Sequence, residues 1–275
     1  MKKEGGREMA TKYPILLLHG VVLKDVLLFG RIPLFKAFGK IEDVLRAQGY
    51  DVFYSDHDGL GSIENNAVQI KESVEKTLAE TGAEKVNLIV HSKGGLDSLY
   101  MIDRFGMRDQ IASLTFVSTP HRGSSVANFL YGLPKFIFCP VSFLFNLTYR
   151  LLGDEHPDAK TACRQLCAVK EDIVTPVNPS SYDGIYMQSY SATMKRSRDD
   201  LVMGIPLLIS KHYGNVPGDG MVSVASCKYA LYRGDCTEFS ASHSEIVDLL
   251  VVGEKRKSIH RFYLTVAKDL AQMGF

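Results

Sequence analysis

The segment at residues 85–100, K-V-N-L-I-V-H-S-K-G-G-L-D-S-L-Y, places the strongest constraint on how this chain can fold. A run of β-favouring apolar residues stops at Ser92, two glycines follow, and apolar residues then recur at helical spacing at Leu96, Leu99 and Phe105. The pattern predicts a buried strand, a tight turn at Ser92 and a helix. A serine in such a turn exposes its hydroxyl beside the first amides of the helix. Ser92 is therefore a candidate nucleophile, and the alternative is a serine that only caps the helix.

The turn departs from the usual pattern at one position. Nucleophile turns of this kind commonly read G-x-S-x-G, whereas residues 90–94 read V-H-S-K-G. Gly94 and Gly95 allow the helix and the strand to approach closely. Val90 has a branched side chain that needs room where glycine would not, so the tightness of the turn depends on how Val90 packs.

Strands and helices alternate along the first 124 residues. The apolar patterns predict strands at 13–20, 51–54, 85–91 and 111–118, and helices at 35–48, 62–81 and 93–105. This alternation predicts a parallel, doubly wound α/β sheet that binds ligands at the carboxyl ends of its strands. We expect later strands at 206–210 and 237–241, then an amphipathic terminal helix. A chain of 275 residues fits one domain, at 1–275.

A serine hydroxyl needs a general base and a group that orients the base. Asp219 lies in the loop P-G-D-G-M-V, after the strand predicted at 206–210, and His243 lies in S-A-S-H-S-E. The order Ser92, Asp219, His243 is the order of an α/β-hydrolase. For Asp219 the alternatives are an ordinary Gly-Asp-Gly turn and a catalytic role for Asp235 instead.

An acyl-transfer site also needs two backbone donors for the oxyanion of the tetrahedral intermediate. One comes from the residue after the nucleophile, and the other comes from the loop after an early strand. These positions correspond to Lys93 and Val21. Only the backbone is used, so a lysine at 93 does not argue against the role.

Four blocks of the sequence together resemble the bacterial triacylglycerol lipases and esterases of the α/β-hydrolase superfamily. The blocks are Y-P-I-L-L-L-H-G at 13–20, V-H-S-K-G-G-L-D-S at 90–98, S-T-P-H-R-G-S at 118–124 and G-D-G-M-V-S at 218–223. The blocks G-R-I-P at 30–33 and G-S-I-E-N-N-A at 61–67 are similar to variants from clostridia-like bacteria. The resemblance implies Ser92 as nucleophile, Asp219 as acid and His243 as base.

The resemblance also bears on metal binding. Many members of the family hold a structural calcium through an aspartate two residues after the histidine, where this chain has Glu245. We expect Glu245 to cap the helix that follows. We therefore expect no cofactor and no bound metal, and a structural calcium is the alternative that the resemblance leaves open.

A segment at about 124–205 interrupts the alternation, and the family implies that it is a helical lid or cap. Residues 129–152 are strongly apolar, but glycine and prolines break them and the run is too short to span a bilayer. We expect this lid to cover Ser92 in water and to open at a lipid surface; the alternative is a fixed subdomain or a dimer surface. The predicted lid and substrate-binding residues are Phe129, Leu133, Phe136, Phe138 and Phe143.

Composition narrows the remaining classes of function. The net charge is +1, so the chain lacks the basic footprint of a nucleic-acid-binding protein. No segment of signal-peptide character precedes residue 13, and we expect a cytoplasmic protein with reduced cysteines unless an export segment has been removed. The predicted function is a serine carboxylic-ester hydrolase, a lipase or esterase acting on apolar acyl esters of a lipid or small molecule. The alternatives are a phospholipase, a thioesterase, an acyltransferase or a non-catalytic lipid-binding protein; the oligomeric state is left open.

Overall fold

The computed structural model describes residues 10–21, 26–28, 32–214 and 217–275. Its strands within these ranges are β1 (Ile15–Leu18), β2 (Val26–Leu28), β3 (Ile32–Phe35), β4 (Val52–Tyr54), β5 (Val86–His91), β6 (Ile111–Val117), β7 (Tyr186–Ser191) and β8 (Leu231–Asp235). Strands β2 and β3 pair as a separate antiparallel hairpin. The others form one sheet in the order β4-β1-β5-β6-β7-β8, and each neighbouring pair is parallel. The predicted parallel α/β sheet is confirmed.

Helices cover both faces of this sheet. The α-helices of the described ranges are α1 (Ile41–Ala47), α2 (Ile63–Thr81), α3 (Lys93–Arg104), α4 (Ser125–Tyr131), α5 (Lys135–Leu151), α6 (Ala159–Gln165), α7 (Gly204–His212), α8 (Val224–Cys227) and α9 (Gly253–Gln272). Side chains alternate across a strand, so Ile15 and Leu17 join the core beneath α1 and α9. Leu16 and Leu18 join the core beneath α2 and α3. The continuous apolar run of β1 is explained by burial on both faces.

Helix α2 forms as its sequence predicts. The Ser62 hydroxyl accepts a hydrogen bond from the backbone N–H of Asn65, and the helix ends at Gly82 in the left-handed conformation. Its apolar residues at helical spacing, including Ile63, Ile70 and Val74, are buried.

The helix predicted at 35–48 is wrong at its start. Phe35 ends β3, and α1 begins only at Ile41. The reason lies at Gly39, whose φ of 49° is left-handed and cannot belong to a right-handed helix. Part of the 30–33 block lies outside the described residues, as do residues 1–9.

Two predicted strands of the second half are also wrong. Residues 206–210 lie in α7, where Leu207 is buried while Ile205 and Leu208 are exposed. An apolar run this short does not separate a strand from one face of a helix. The strand predicted at 237–241 is absent from that described segment, and the last strand is β8, an edge strand whose residues alternate between exposed and half-buried.

The sheet also contains β7, which, like β8, lies outside the strands that the sequence pattern predicted. Strand β7 pairs between β6 and β8, so the insertion predicted at about 124–205 is too long at its C-terminal end. The side chains of β7 are largely polar and are satisfied in the interior: Gln188 donates to Thr115 Oγ1 at 3.0 Å, and Ser189 donates to the Tyr229 carbonyl at 2.6 Å. A polar strand of this kind gives no apolar signal.

Helices α4 and α5 occupy the predicted lid segment, but their apolar side chains are mostly uncovered. Phe136 is 79% exposed and Phe143 is 69% exposed, whereas Phe138 is buried. Phe129 is exposed and Leu133 is half-buried. Much of the apolar face of this segment is therefore exposed in this structure, and its role as a lid over Ser92 stays a prediction. In the described part of the chain no single helix is long and apolar enough to cross a bilayer. Helices α4 and α5 reach the necessary length and apolar composition only when taken together, and the angle between them is 113°.

Candidate active site

Ser92 stands in a strained turn between β5 and α3. Its φ of 55° and ψ of −132° lie outside the regions that non-glycine residues favour. Strain of this kind persists only where the surroundings hold it, and it concentrates at functional sites. Ser92 is the N-cap residue of α3, but its side chain makes no capping hydrogen bond. The hydroxyl is therefore used elsewhere.

Two glycines allow the neighbouring backbone to approach this turn. A Cβ at Gly20 would lie 2.4 Å from Ser92 Cβ, and a Cβ at Gly94 would lie 2.2 Å from the His19 carbonyl oxygen. Neither distance is tolerable, so any larger residue would push the loop after β1 away from Ser92. The glycines thus fix the distance between the nucleophile turn and the loop that contains Val21.

Val90, which replaces the glycine of the usual pattern, is fully buried. It packs in the apolar core on the α2 and α3 side of the sheet, together with Leu88 and Leu96. The positive φ at Ser92 is present with this valine in place. The branched side chain is therefore accommodated by the core below the turn.

The hydroxyl of Ser92 faces His243, which in turn faces Asp219. The distance from Ser92 Oγ to His243 Nε2 is 2.8 Å, and the distance from His243 Nδ1 to Asp219 Oδ2 is 2.7 Å. All three side chains are buried or nearly so, with Ser92 7% exposed and Asp219 fully buried. The structure thus brings together the three residues that the sequence singled out. The arrangement can move a proton from the serine to the histidine.

Asp219 is held by the backbone of its own loop. Its Oδ1 accepts hydrogen bonds from the N–H groups of Met221 and Val222 at 3.0 and 2.8 Å, so Oδ2 is left to face the histidine. The N–H of His243 also donates to the Asp219 carbonyl oxygen at 2.9 Å. The sequence predicted that this loop follows a strand, but in the structure it follows α7. Asp235 bonds to the hydroxyls of Ser191 and Thr193 and takes no part in this contact.

His91 packs against His243, a contact that the sequence did not predict. Its ring centroid lies 4.5 Å from that of His243. Burial, and then the nearby His243 and His19, hold the pKa of His91 well below its ordinary value. His91 therefore packs against His243 as a neutral ring. The only signal for this contact in the sequence is the position of His91 next to Ser92.

The side chain of Lys93, the residue after Ser92, forms a buried ion pair within α3. Its Nζ lies 2.7 and 2.9 Å from the two carboxylate oxygens of Asp97, and both side chains are almost fully inaccessible. Asn66 donates to Asp97 Oδ2 at 2.9 Å and to the Asp58 carbonyl at 2.7 Å. Burial, partly offset by Lys93 and Asn66, raises the pKa of Asp97 to about 6. The spacing of four residues on the buried face of α3 was the signal for this pair.

The two predicted oxyanion donors belong to two segments that meet at Ser92. Lys93 is the first residue of α3, so its N–H stands at the positive end of the helix. Val21 directly follows Gly20, which lies against the turn at Ser92, and Val21 is 40% exposed. Both positions are compatible with the predicted role.

Glu245 does not fit the calcium site that the family resemblance left open. Its Oε2 accepts the Ser242 N–H at 3.0 Å, while the Glu245 N–H donates to Ser242 Oγ at 3.2 Å, which makes a reciprocal capping box. Its Oε1 lies 2.7 Å from the ammonium of Lys255. Both oxygens are thus already engaged, one of them by a cation. Among the described residues no group of three or more His, Cys, Asp or Glu side chains could hold a metal ion.

Comparisons with known proteins agree with this fold and with the expected resemblance. The chain is 28% identical over 254 residues to triacylglycerol lipase 2 of Saccharomyces cerevisiae, a match that covers 86% of this chain and 73% of the yeast protein. The mature lipase BlEst2 of Bacillus licheniformis superposes with a TM-score of 0.64 at 16% identity, covering 94% of this chain and 92% of that structure. A metagenomic carboxyl esterase superposes with a TM-score of 0.65 at 16% identity, covering 96% and 76%. No family model matches the chain.

These similarities define the class of fold. The chain has the α/β-hydrolase fold, with six parallel strands in its main sheet within the described ranges. The predicted resemblance to triacylglycerol lipases is confirmed over 86% of this chain.

Proposed function

We propose that this protein is a serine carboxylic-ester hydrolase, a lipase or esterase that acts on apolar acyl esters. The observation that carries the proposal is the continuous hydrogen-bonded series from Asp219 through His243 to Ser92, at the carboxyl edge of an α/β-hydrolase sheet. The names of the sequence relative and of the structural neighbours point to the same chemistry.

The geometry accounts for each step of ester hydrolysis. His243 Nε2 accepts the proton of Ser92 Oγ as the oxygen attacks the ester carbonyl carbon, and Asp219 stabilises the imidazolium that forms. The imidazolium then returns its proton to the departing alcohol, which leaves an acyl group on Ser92. A water molecule gives its proton to His243 and attacks the acyl carbon. Collapse of the second intermediate releases the acid and restores the serine hydroxyl.

We assign the N–H groups of Lys93 and Val21 as donors to the oxyanion in both tetrahedral intermediates. Loss of one such donor reduces transition-state stabilisation by roughly 3 to 4 kcal/mol in enzymes of this type. Support comes from the position of Lys93 at the start of α3 and from the close approach of Gly20 to Ser92. The side chain of Lys93 is turned into the protein toward Asp97, so it does not compete for this space.

We propose that α4 and α5 form the substrate-facing lid and bring the enzyme to lipid surfaces. Their exposed side chains include Phe129, Phe136, Ile137, Phe143, Leu144 and Leu151. Each large apolar side chain left in water forgoes roughly 1.5 to 3 kcal/mol of burial, so an apolar partner is favoured. A lipid surface, or the acyl chain of the substrate, supplies such a partner.

Labelling with a fluorophosphonate tests the proposed chemistry directly. The wild type should react at Ser92 and lose esterase activity, whereas Ser92→Ala should neither label nor turn over while its melting temperature stays close to that of the wild type. Activity retained in Ser92→Ala would contradict the proposal, and an unlabelled, inactive wild type would favour a non-catalytic lipid-binding protein. Product analysis with an added alcohol separates hydrolysis from acyl transfer, and phospholipid and thioester substrates test the remaining uses of the same acyl-enzyme.

A further inference from the structure

The turn that presents His243 is tied to a distant carboxylate, that of Asp200. Ser242 and Ser244 flank the histidine, and both of their hydroxyls donate to the same oxygen, Asp200 Oδ2, at 2.5 and 2.8 Å. Asp200 lies 43 residues before His243 in the chain, just ahead of α7. One carboxylate oxygen therefore binds the residues on both sides of His243.

The carboxylate of Asp200 is itself fixed. Its other oxygen, Oδ1, accepts the N–H groups of Val202 and Met203 at 2.7 and 3.1 Å. Partial burial would raise the pKa of Asp200, but the hydrogen bonds from Ser242, Met203 and Ser244 lower it overall. Asp200 is therefore ionised at neutral pH and accepts four hydrogen bonds. A carboxylate held in this way can orient the groups that donate to it.

A second carboxylate completes the support of the same turn. Glu245 bonds to Ser242 through the capping box and pairs with Lys255 on α9. Asp200 acts from the segment before α7, and Lys255 acts from the terminal helix, so the turn is held from two separate elements. Asp219 alone fixes the ring through Nδ1, and these outer contacts fix the backbone that bears the ring.

We propose that Asp200 is a positioning residue for His243: by binding the hydroxyls of Ser242 and Ser244 it holds the imidazole at hydrogen-bonding distance from both Ser92 and Asp219. Asp200 touches neither the substrate nor the reacting atoms, and it acts only through the two serines. This role depends on the proposed function, in which His243 is the general base.

The neighbouring Asp199 provides a matched control. It also binds a serine of the same segment, since the Ser240 hydroxyl donates to Asp199 Oδ2 at 2.9 Å. It pairs with Arg196 at the protein surface. Ser240 lies three residues before His243 and does not flank it. Asp199→Asn therefore perturbs a similar contact without reaching the histidine turn.

Steady-state kinetics on a soluble short-chain ester tests the proposal. The Asp200→Asn side chain keeps an oxygen for Val202 and Met203 but directs an NH₂ group toward the serines. We expect kcat to fall about 10-fold or more with KM within about 2-fold, because a small misplacement of a catalytic group strongly lowers the rate. Asp199→Asn should leave both within about 2-fold. A kcat of Asp200→Asn that is unchanged, or reduced no more than that of the control, would overturn the proposal.

Variants of the serines show whether Asp200 acts through them. Ser242→Ala combined with Ser244→Ala should lower kcat at least as much as Asp200→Asn, since it also removes the bond from the Glu245 N–H to Ser242 Oγ, and adding Asp200→Asn should lower kcat no further. An additive decrease would mean that Asp200 acts by another route and would overturn the proposal. The double serine variant leaves the Val202 and Met203 contacts intact, so it remains informative if Asp200→Asn does not fold.

Proton NMR gives a measurement that does not require turnover. The downfield proton between His243 Nδ1 and Asp219 should broaden or shift in Asp200→Asn and stay in place in Asp199→Asn. An unchanged resonance in Asp200→Asn would overturn the positioning role. If the wild type does not label with a fluorophosphonate, the proposed function fails, whereas the resonance still decides whether Asp200 holds the histidine.

Discussion

Polar side chains are buried at the sheet edge around Ser92, whereas apolar side chains are exposed on helices α4 and α5. At the sheet edge, polar groups are buried and paired: Ser92, His243 and Asp219 form one hydrogen-bonded series, and Lys93 is paired with Asp97 immediately below it. On α5, phenylalanines such as Phe136 and Phe143 face solvent.

This difference separates a region whose geometry is fixed by buried contacts from a region whose apolar surface is left uncovered. A buried polar network specifies one geometry, because a buried polar group that loses its partner strongly destabilises the folded state. An exposed apolar helix gains free energy only when something apolar covers it. The geometry of the hydrogen-bonded series is thus contained within the chain, whereas the exposed surface of α5 would gain free energy from an apolar partner, which we propose to be substrate or lipid.

The largest expected effect comes from breaking the polar series at Asp219. Asp219→Asn should reduce turnover by about 10⁴, because the amide no longer stabilises the imidazolium and favours the wrong tautomer. Esterase assays on a soluble ester measure this loss. Asp235→Asn is the control, since Asp235 bonds to Ser191 and Thr193 and not to His243. Similar losses in both variants would contradict the assignment of Asp219.

The next largest effect concerns the buried ion pair. Lys93→Met should lower the free energy of unfolding by about 3 to 5 kcal/mol, because Asp97 is then buried without its cation. The combined variant Lys93→Met/Asp97→Leu should lie within about 1 kcal/mol of the wild type or above it, since both charges are removed together. Urea unfolding at pH 7 measures both values. A double variant as unstable as the single one would show that the charges themselves are not the cause.

The sequence identified the three residues that meet at the sheet edge better than it predicted the elements around them. The serine turn has a local signal, an apolar strand ending at a serine before two glycines, and the order of Ser92, Asp219 and His243 narrowed the rest. Strand β7 gave no signal because its polar residues are satisfied only by tertiary contacts, such as that of Gln188 with Thr115. Helix α7 was mistaken for a strand because a run of four apolar residues fits both.

The contacts that support His243 could not be predicted from the sequence either, because they join residues that are distant in the chain. The serines at 240, 242 and 244 alternate visibly in the sequence, but nothing local connects them with the two aspartates at 199 and 200. That connection exists only after α7 folds back toward the histidine turn. The contact of His91 with His243 likewise joins residues 152 positions apart in the chain.

The pH dependence of the unfolding free energy should report on the buried pair of Lys93 and Asp97. Burial raises the pKa of Asp97 from 3.8 to about 6, so the fold favours its neutral form. The stability that this group contributes is present below pH of about 4 and is lost as the pH rises through about 6, by at most about 3 kcal/mol. Relative to Lys93→Met/Asp97→Leu, the wild type should therefore lose unfolding free energy between pH 4 and pH 7. A difference that stays constant or grows with pH would contradict this.

The smallest expected effect concerns the exposed apolar surface of α5, and variants of two phenylalanines test it. Phe136 is 79% exposed and Phe138 is 8% exposed, so they separate surface contact from packing. Phe136→Asp should leave hydrolysis of a soluble short-chain ester within about 2-fold. It should weaken activity on an emulsified long-chain ester by about 10-fold or more, because burial of one such side chain in lipid is worth roughly 1.5 to 3 kcal/mol.

Phe138→Ala should behave in the opposite way, since it leaves a cavity against Tyr131, whose ring centroid lies 5.7 Å away. The expected result is lower thermal stability or higher protease sensitivity of residues 125–151, at an unchanged dependence on the ester's physical state. Assays across the concentration at which the long-chain ester aggregates distinguish the two variants. If Phe136→Asp followed the wild type through that concentration, α5 would not be the lipid-contacting element, and its exposed face would fit a contact between protein molecules better.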